Sequence, residues 1–400
     1  MRDMQGWRRQ DGRTGIRNVV AVAYLVECAH HVAREIALPL REDGVHLIGF
    51  PGCFPNDYAM TMMERLCTHP NVGAVLLVSL GCESMDRHRL RRTIEASGRP
   101  VELIVIQGTG GTRASIAQGR AWVAARRTEL DAAPTVPMVP GDLIVGTICG
   151  GSDGTSGLTG NPAAGVAFDL LGAAGAACIF EETGELIGCE HIMASRAATP
   201  VLGAAIRASV DKAARYYETL GYGSFAAGNA EGGLTTIEEK SLGAYAKSGS
   251  AAIVGLLKPG DVPSRGGLYL LDVVPDGEVR WGFPNISDNA EIAELMACGA
   301  HCILFVTGRG SVVGSAIAPV VKICANPDTY RRMSDDMDVD AGRILESRAE
   351  VAEVGQEIAD LVLSLAAGGR TRSEALGHQE FILTYKSFEP AGPGCLPAAA

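Results

Sequence analysis

The feature that most constrains this chain is a pattern that recurs four times in its first third: an apolar, β-branched run ending at a glycine or cysteine corner, then an amphipathic stretch. The runs cover residues 19–26, 45–50, 72–80 and 101–107. Unbroken apolar runs suit strands buried on both faces, and amphipathic stretches suit the helices that cover those faces. The alternation predicts a doubly wound parallel sheet. The proline-rich stretch 132–140 closes this unit. A second series begins at residue 141, with strand-like runs at 143–149, 176–180, 267–274 and 301–307 and helix-like stretches at 163–171 and 185–220. Residues 221–233 form a glycine-punctuated loop, and Thr235 and Glu238 have capping-box spacing for a helix running to Lys247. Residues 327–368 read as two charged amphipathic helices. The expectation is an α/β protein of two Rossmann-like parallel-sheet units with a helical C-terminal part, divided into 1–140 and 141–400.

Composition narrows the function classes. A formal charge of −11 argues against nucleic acid as a partner, although a local basic pocket can still hold a small anion. No apolar window approaches the roughly 18 residues of a membrane span, and the polar opening is unlike a secretory leader, so a cytoplasmic protein is expected. Eleven cysteines, an odd number scattered through hydrophobic segments, fit reduced thiols better than a disulfide framework.

In an open parallel sheet, ligands bind beyond the carboxyl ends of the strands, so the corners carry the chemistry. Cys28, Cys53 and Cys82 follow the first three runs, and Cys149 ends a fourth. If those strands are neighbours, about 4.8 Å apart, the thiolates could converge on a soft metal or an iron–sulfur cluster; small buried residues at crowded strand ends are the competing reading. Residues 181–191 gather Glu181, Glu182, Glu185, Glu190 and His191, which offers a general base, a general acid and a hard-metal ligand. Acidic residues favouring a helix N-terminus would explain the same pattern. The turn Cys149-Gly150-Gly151-Ser152-Asp153-Gly154 offers backbone N–H groups and a hydroxyl for a carboxylate or phosphate, but it lacks the P-loop lysine and the dinucleotide fingerprint. Arg309, in Thr307-Gly308-Arg309-Gly310, could grip a carboxylate with two hydrogen bonds.

These residues resemble the altronate/galactarate dehydratase family. The resemblance runs through Gly6-Trp7-Arg8-Arg9 and Asp11-Gly12-Arg13-Thr14-Gly15-Ile16-Arg17-Asn18, the Cys149 turn with Asn161-Pro162, Glu182-Thr183-Gly184-Glu185, Gly188-Cys189-Glu190-His191, Gly228-Asn229, the stretch 232–241 and the Arg309 turn. It covers residues 6–385. At the second corner, where relatives tend to have His-x-x-Gly-Cys, this chain has Phe50 with Gly52 and Cys53.

The resemblance implies dehydration of an aldonic or aldaric acid to a 2-keto-3-deoxy acid, with a divalent metal, iron or manganese. A related branch expels sulfite from sulfolactate, and a silent, ligand-binding large subunit is the alternative from another class. Family members can carry a small N-terminal domain ahead of the part matched here, so the resemblance implies that this domain is a separate partner subunit or is missing, and a homo-oligomer is expected. Elimination next to a carboxylate needs a base for the C2 proton and an acid for the leaving oxygen, with a Lewis acid holding the developing charge. On this basis Glu182 and His191 are the expected acid/base pair, with Glu185 orienting His191 or binding metal. Ser152, Asp153 and Arg309 are expected to hold substrate oxygens, Lys240 to assist them, and Cys28, Cys53 and Cys82 to ligate metal.

Overall fold

The computed structural model describes residues 3–181, 183–220, 225–276 and 287–383; Glu182 lies outside them. Its frame is two parallel sheets. In the first, β1 (Val19–Tyr24), β2 (Val45–Gly49), β3 (Val72–Ser79) and β4 (Val101–Val105) lie in the order β2-β1-β3-β4. The second contains β5 (Ile144–Cys149), β6 (Ala177–Glu181), β7 (Ile253–Leu257), β8 (Gly267–Leu271), β9 (Cys302–Thr307), β10 (Val320–Cys324) and β11 (Val339–Asp340). Their order is β7-β8-β6-β5-β9-β10-β11, and every pairing in both sheets is parallel. All residues of β3 and β9 are buried, as strands covered on both faces require. The chain is therefore α/β, as expected from its runs.

Both sheets reverse their direction of growth beside the first strand, between β1 and β3 and between β5 and β9. Such reversals open a crevice at the carboxyl ends of the flanking strands. In the first sheet the crevice lies at the amino ends of α1 (Glu27–Ala37), α2 (Asp57–Cys67) and α3 (Arg87–Ala96).

Three features depart from the sequence reading. A small antiparallel sheet pairs Gln5–Arg8 with Thr14–Gly15 and Val136–Pro137, joining the two ends of the first unit with strands too short to show a period. The first expected C-terminal helix covers only Pro327–Arg332, because the apolar Met337 and Val339 draw the chain back into the sheet as β11. The cap of α4 (Ile237–Tyr245) falls one residue later than expected: Thr236, not Thr235, accepts the helix N–H, that of Glu239, and the Glu239 carboxylate reaches back to Thr235.

Side chains from the opening motif and the strand ends lock the two units together. Arg17 forks onto Glu374 at 2.6 and 2.9 Å and also donates to the carbonyls of Leu365 and Gly369. Burial works against ionisation of Glu374, but the Arg17 fork outweighs it and holds the carboxyl below its ordinary range. Asn71 donates to the carbonyls of His301 and Ile317. His69 and His301 are fully buried, and burial first of all pushes both imidazoles below their usual value, so they serve as neutral core groups. Helix α2 and α5 (Asp288–Ala297) pack in parallel: Tyr58 in the first turn of α2 donates to Glu294 at 2.7 Å, and His69, just past its end, meets the Ala300 carbonyl at 3.1 Å. Each helix runs antiparallel to the strands it covers, so the carboxyl edges of both sheets face the same side of the molecule.

Candidate active site

At the carboxyl end of β5 the chain turns through Gly150 and Gly151 into Ser152 and Asp153, both buried. Here a cleft of about 290 Å³ opens against α4, lined by Cys149, Ser152, Asp153, Asn161 and Lys240 among others. A connected set of polar groups runs through it. The Ser152 hydroxyl donates to Cys149 Sγ at 3.1 Å, and the Cys149 thiol donates to Glu185 Oε2 at 3.0 Å. The other carboxylate oxygen of Glu185 is ion-paired with Lys240 Nζ. Glu185 sits in the 3-10 turn Thr183–Leu186 that follows β6, and Lys240 in the first turns of α4, so the pair closes the space between two elements distant in sequence.

Asp288, in the first turn of α5, lies against the backbone of Gly150. A Cβ on Gly150 would sit 2.1 Å from Asp288 Oδ2 and 2.5 Å from the Phe305 ring, so only glycine admits this approach. Burial, followed by the nearby Glu185 charge, pushes the Asp288 carboxyl up to about 6, with Lys240 pulling the other way. A carboxyl of that kind changes charge near neutral pH, the range a general acid or base needs.

The glycine-rich turns support this cluster. Asp153 accepts from Thr155 N–H, from the Thr155 and Ser156 hydroxyls, and from Asn326 Nδ2 at 2.9 Å. A Cβ on Gly308 would lie 2.1 Å from Asp153 Oδ1, so the second turn is also glycine for close approach. Asn229 donates to the Ser152 carbonyl, and Arg309 donates to the Gly228 carbonyl and pairs with Glu231 at 2.9 Å.

Several expected site residues therefore stand differently from their expected roles. Ser152 and Lys240 line the cleft, and Glu185, outside that lining like Asp288, is bound to Lys240 and Cys149. Asp153 lines it too, but its carboxylate is engaged by four donors from its own chain. The Arg309 guanidinium is held by Glu231 and Gly228 and braces the segment 227–231. His191 is exposed in the six-residue helix Glu190–Ser195 and is absent from the cleft lining. Glu182, its expected partner, lies outside the described residues. Cys28, Cys53 and Cys82 are exposed at the carboxyl edge of the first sheet. Among the described residues, no group of three His, Cys, Asp or Glu side chains is arranged to hold one ion. The described residues of the cleft thus do not fit the single divalent ion expected from sequence, and Glu185 is already engaged by Lys240 and Cys149. One member of the cluster was missed by sequence reasoning: Asp288, whose Ser287-Asp288 pair gives only an ordinary helix-start signal; Cys149, read as a strand-end thiol, instead donates to Glu185.

Comparison with known proteins bears on what this cleft handles. Residues 141–388 match the family description "D-galactarate/Altronate dehydratase, C-terminal", and residues 6–131 match "D-galactarate dehydratase/Altronate hydrolase, second domain". The chain belongs to the D-galactarate/altronate dehydratase family. Residues 6–131 contain the first parallel sheet and residues 141–388 the second, with the cleft in the C-terminal match. Among relatives in this dehydratase family, the (2R)-sulfolactate sulfo-lyase subunit beta of Chromohalobacter salexigens is 34% identical over 398 residues, 96% of this chain and 97% of that protein. The altronate dehydratase of Escherichia coli is 29% identical over 96% of this chain and 77% of its own. The galactarate dehydratase (L-threo-forming) of the same organism is 29% identical over 91% and 72%. All three names describe lyases, and this chain is a member of a lyase family. No helix among the described residues is long and apolar enough to cross a membrane.

Proposed function

We propose that this chain is a carbon–oxygen lyase that removes water from an aldonic or aldaric acid to give the 2-keto-3-deoxy acid. The observation that carries this reading is a buried carboxyl raised to about 6, Asp288, lying against Gly150 at the end of β5 and within electrostatic reach of the Lys240–Glu185 ion pair. Hydroxide is a poor leaving group, so loss of water needs a proton donor as well as a base. Asp288, ionised above about pH 6, is the base for the C2 proton. Lys240, ion-paired with Glu185, is the acid for the C3 hydroxyl and an electrostatic partner for the charge that develops. Cys149 and Ser152 hold Glu185 in place.

The sulfo-lyase relative, with the highest identity of the three named, favours a second reading in which sulfite leaves from sulfolactate. Sulfite departs as a stable anion and needs no proton donor, so the acid is dispensable in that reaction. That relative is named as a subunit, which supports a small partner subunit for this chain. The test is a panel of altronate, galactarate and sulfolactate, assayed for 2-keto acid and for sulfite with any co-purifying subunit retained. Water loss from a sugar acid supports the first reading; sulfite release from sulfolactate replaces it with the second. Tight binding without turnover of any panel member would refute both.

A further inference from the structure

We propose that Cys28, Cys53 and Cys82 hold an iron–sulfur cluster at the carboxyl edge of the first sheet, a site separate from the β5 cleft. The register of the sheet carries this. Tyr24 on β1 pairs with Gly49 on β2 and with Val78 on β3, and each cysteine stands four residues beyond its member of that trio. Three cysteines therefore leave three adjacent strands at one level, across the reversal point between β1 and β3. With strands about 4.8 Å apart, the three departure points span roughly 10 Å.

The segments that carry them, the first turn of α1 and the loops after β2 and β3, are joined. Glu27 N–H donates to the Pro51 carbonyl at 3.0 Å, and Ser84 N–H donates to the Cys53 carbonyl at 2.9 Å. Exposure supplies an independent observation. Of the ten cysteines among the described residues, seven are buried, as free cysteines usually are. The exposed ones are these three. An apolar core role does not explain them, and a surface thiol is a liability without a use.

A single ion is a poor fit. One metal with thiolate bonds of about 2.3 Å needs sulfurs almost in contact, and no described group has that arrangement. A cubane cluster is itself several ångströms wide and takes thiolates that stand farther apart, with Cys₃ ligation leaving one iron open to an oxygen ligand. The helices α1, α2 and α3 all begin at this edge, and their positive ends favour the net negative charge of a thiolate-bound cluster.

The experiment uses the full chain, with any co-purifying subunit, prepared without oxygen and incubated with ferric iron, sulfide and an excess of thiol, which reduces half of the iron as it is oxidised to disulfide, before desalting. Equal amounts of bound iron and acid-labile sulfide are expected, with a broad visible absorption that bleaches on reduction. Both are expected to be lost in the triple variant Cys28→Ser/Cys53→Ser/Cys82→Ser and retained in Cys302→Ala, whose thiol is buried in β9. Because the three positions are exposed, the triple variant should keep the parent's circular dichroism and melting point. Iron without sulfide, no cluster after incubation, or equal cluster content in the triple variant would overturn the proposal. None of these readouts involves turnover, so they stand or fall apart from the proposed dehydration.

Discussion

Replacing Asp288 with asparagine separates the cost of an active-site charge from its use. The Asp288 carboxyl is raised from 3.8 to about 6, by burial first and the Glu185 charge second. Two units correspond to about 3 kcal/mol of preference for the neutral form. The sign follows from linkage. An acid whose folded value is raised binds its proton more tightly in the native state, so its contribution to stability is favourable at low pH and is lost as pH rises from about 4 through 6. Above pH 7 the native protein carries an ionised Asp288 at a cost of up to about 3 kcal/mol. Asparagine has no charge to bury, although it gives up a favourable carboxylate at the start of α5 worth about 0.5 kcal/mol. Asp288→Asn is therefore expected to be more stable than the parent by about 2 kcal/mol at pH 8, with that gain vanishing near pH 4. Urea unfolding followed by circular dichroism at pH 4, 6 and 8 measures it. A stability difference that stays constant with pH, or a loss at pH 8, would refute the assignment of a strained charge to this position.

The same titration predicts that kcat/KM falls on the acid side with an apparent pKa near 6, read from a pH–rate profile with whichever acid is turned over. Arg17→Met removes the fork on Glu374, whose side chain is 19% exposed, and is expected to cost about 3 kcal/mol at pH 7. Because the Glu374 value is depressed, that cost shrinks as pH falls through the carboxylate range, which urea unfolding at pH 7 and pH 4 will show. Gly308→Ala drives a methyl into the Asp153 carboxylate, which four donors hold in place; about 2–3 kcal/mol is the expected loss of stability in the same assay. Gly108→Ala, where a Cβ meets nothing within 4 Å, should change stability by less than about 0.5 kcal/mol.

The frame was legible because strands buried on both faces write themselves as unbroken apolar runs. The runs at 19–26, 72–80, 143–149 and 301–307 contain β1, β3, β5 and β9. Strands that broke this rule went unread: β7 is interrupted by Gly255, and β10 carries Lys322, which is buried although charged residues seldom are. The glycine turns at 150–154 and 308–310 were legible as places to hold an anion, but not as the close approaches they make: Asp288 of α5 meets Gly150, and Asp153 of the first turn meets Gly308 of the second. Density of ionisable residues drew attention to 181–191, yet density does not determine exposure, and His191 points to solvent while Glu185 turns inward. In Glu238-Glu239-Lys240 the sequence looks like a solvated helix face. Only the packing of α4 shows that both glutamates are exposed, Glu239 at the cleft, while the lysine is 7% exposed and paired. The opening motif 11–18, prominent in the family resemblance, turns out to brace the fold through Arg17 rather than to line the cleft.

The most direct test of the account compares Lys240→Met with His191→Ala, measuring the rate of 2-keto-3-deoxy acid formation on the best sugar acid of the panel, with circular dichroism confirming the fold of each. If elimination takes place in the β5 cleft, Lys240→Met loses at least about 100-fold in kcat while His191→Ala stays within about twofold of the parent. Full activity in Lys240→Met together with a collapse in His191→Ala would contradict it.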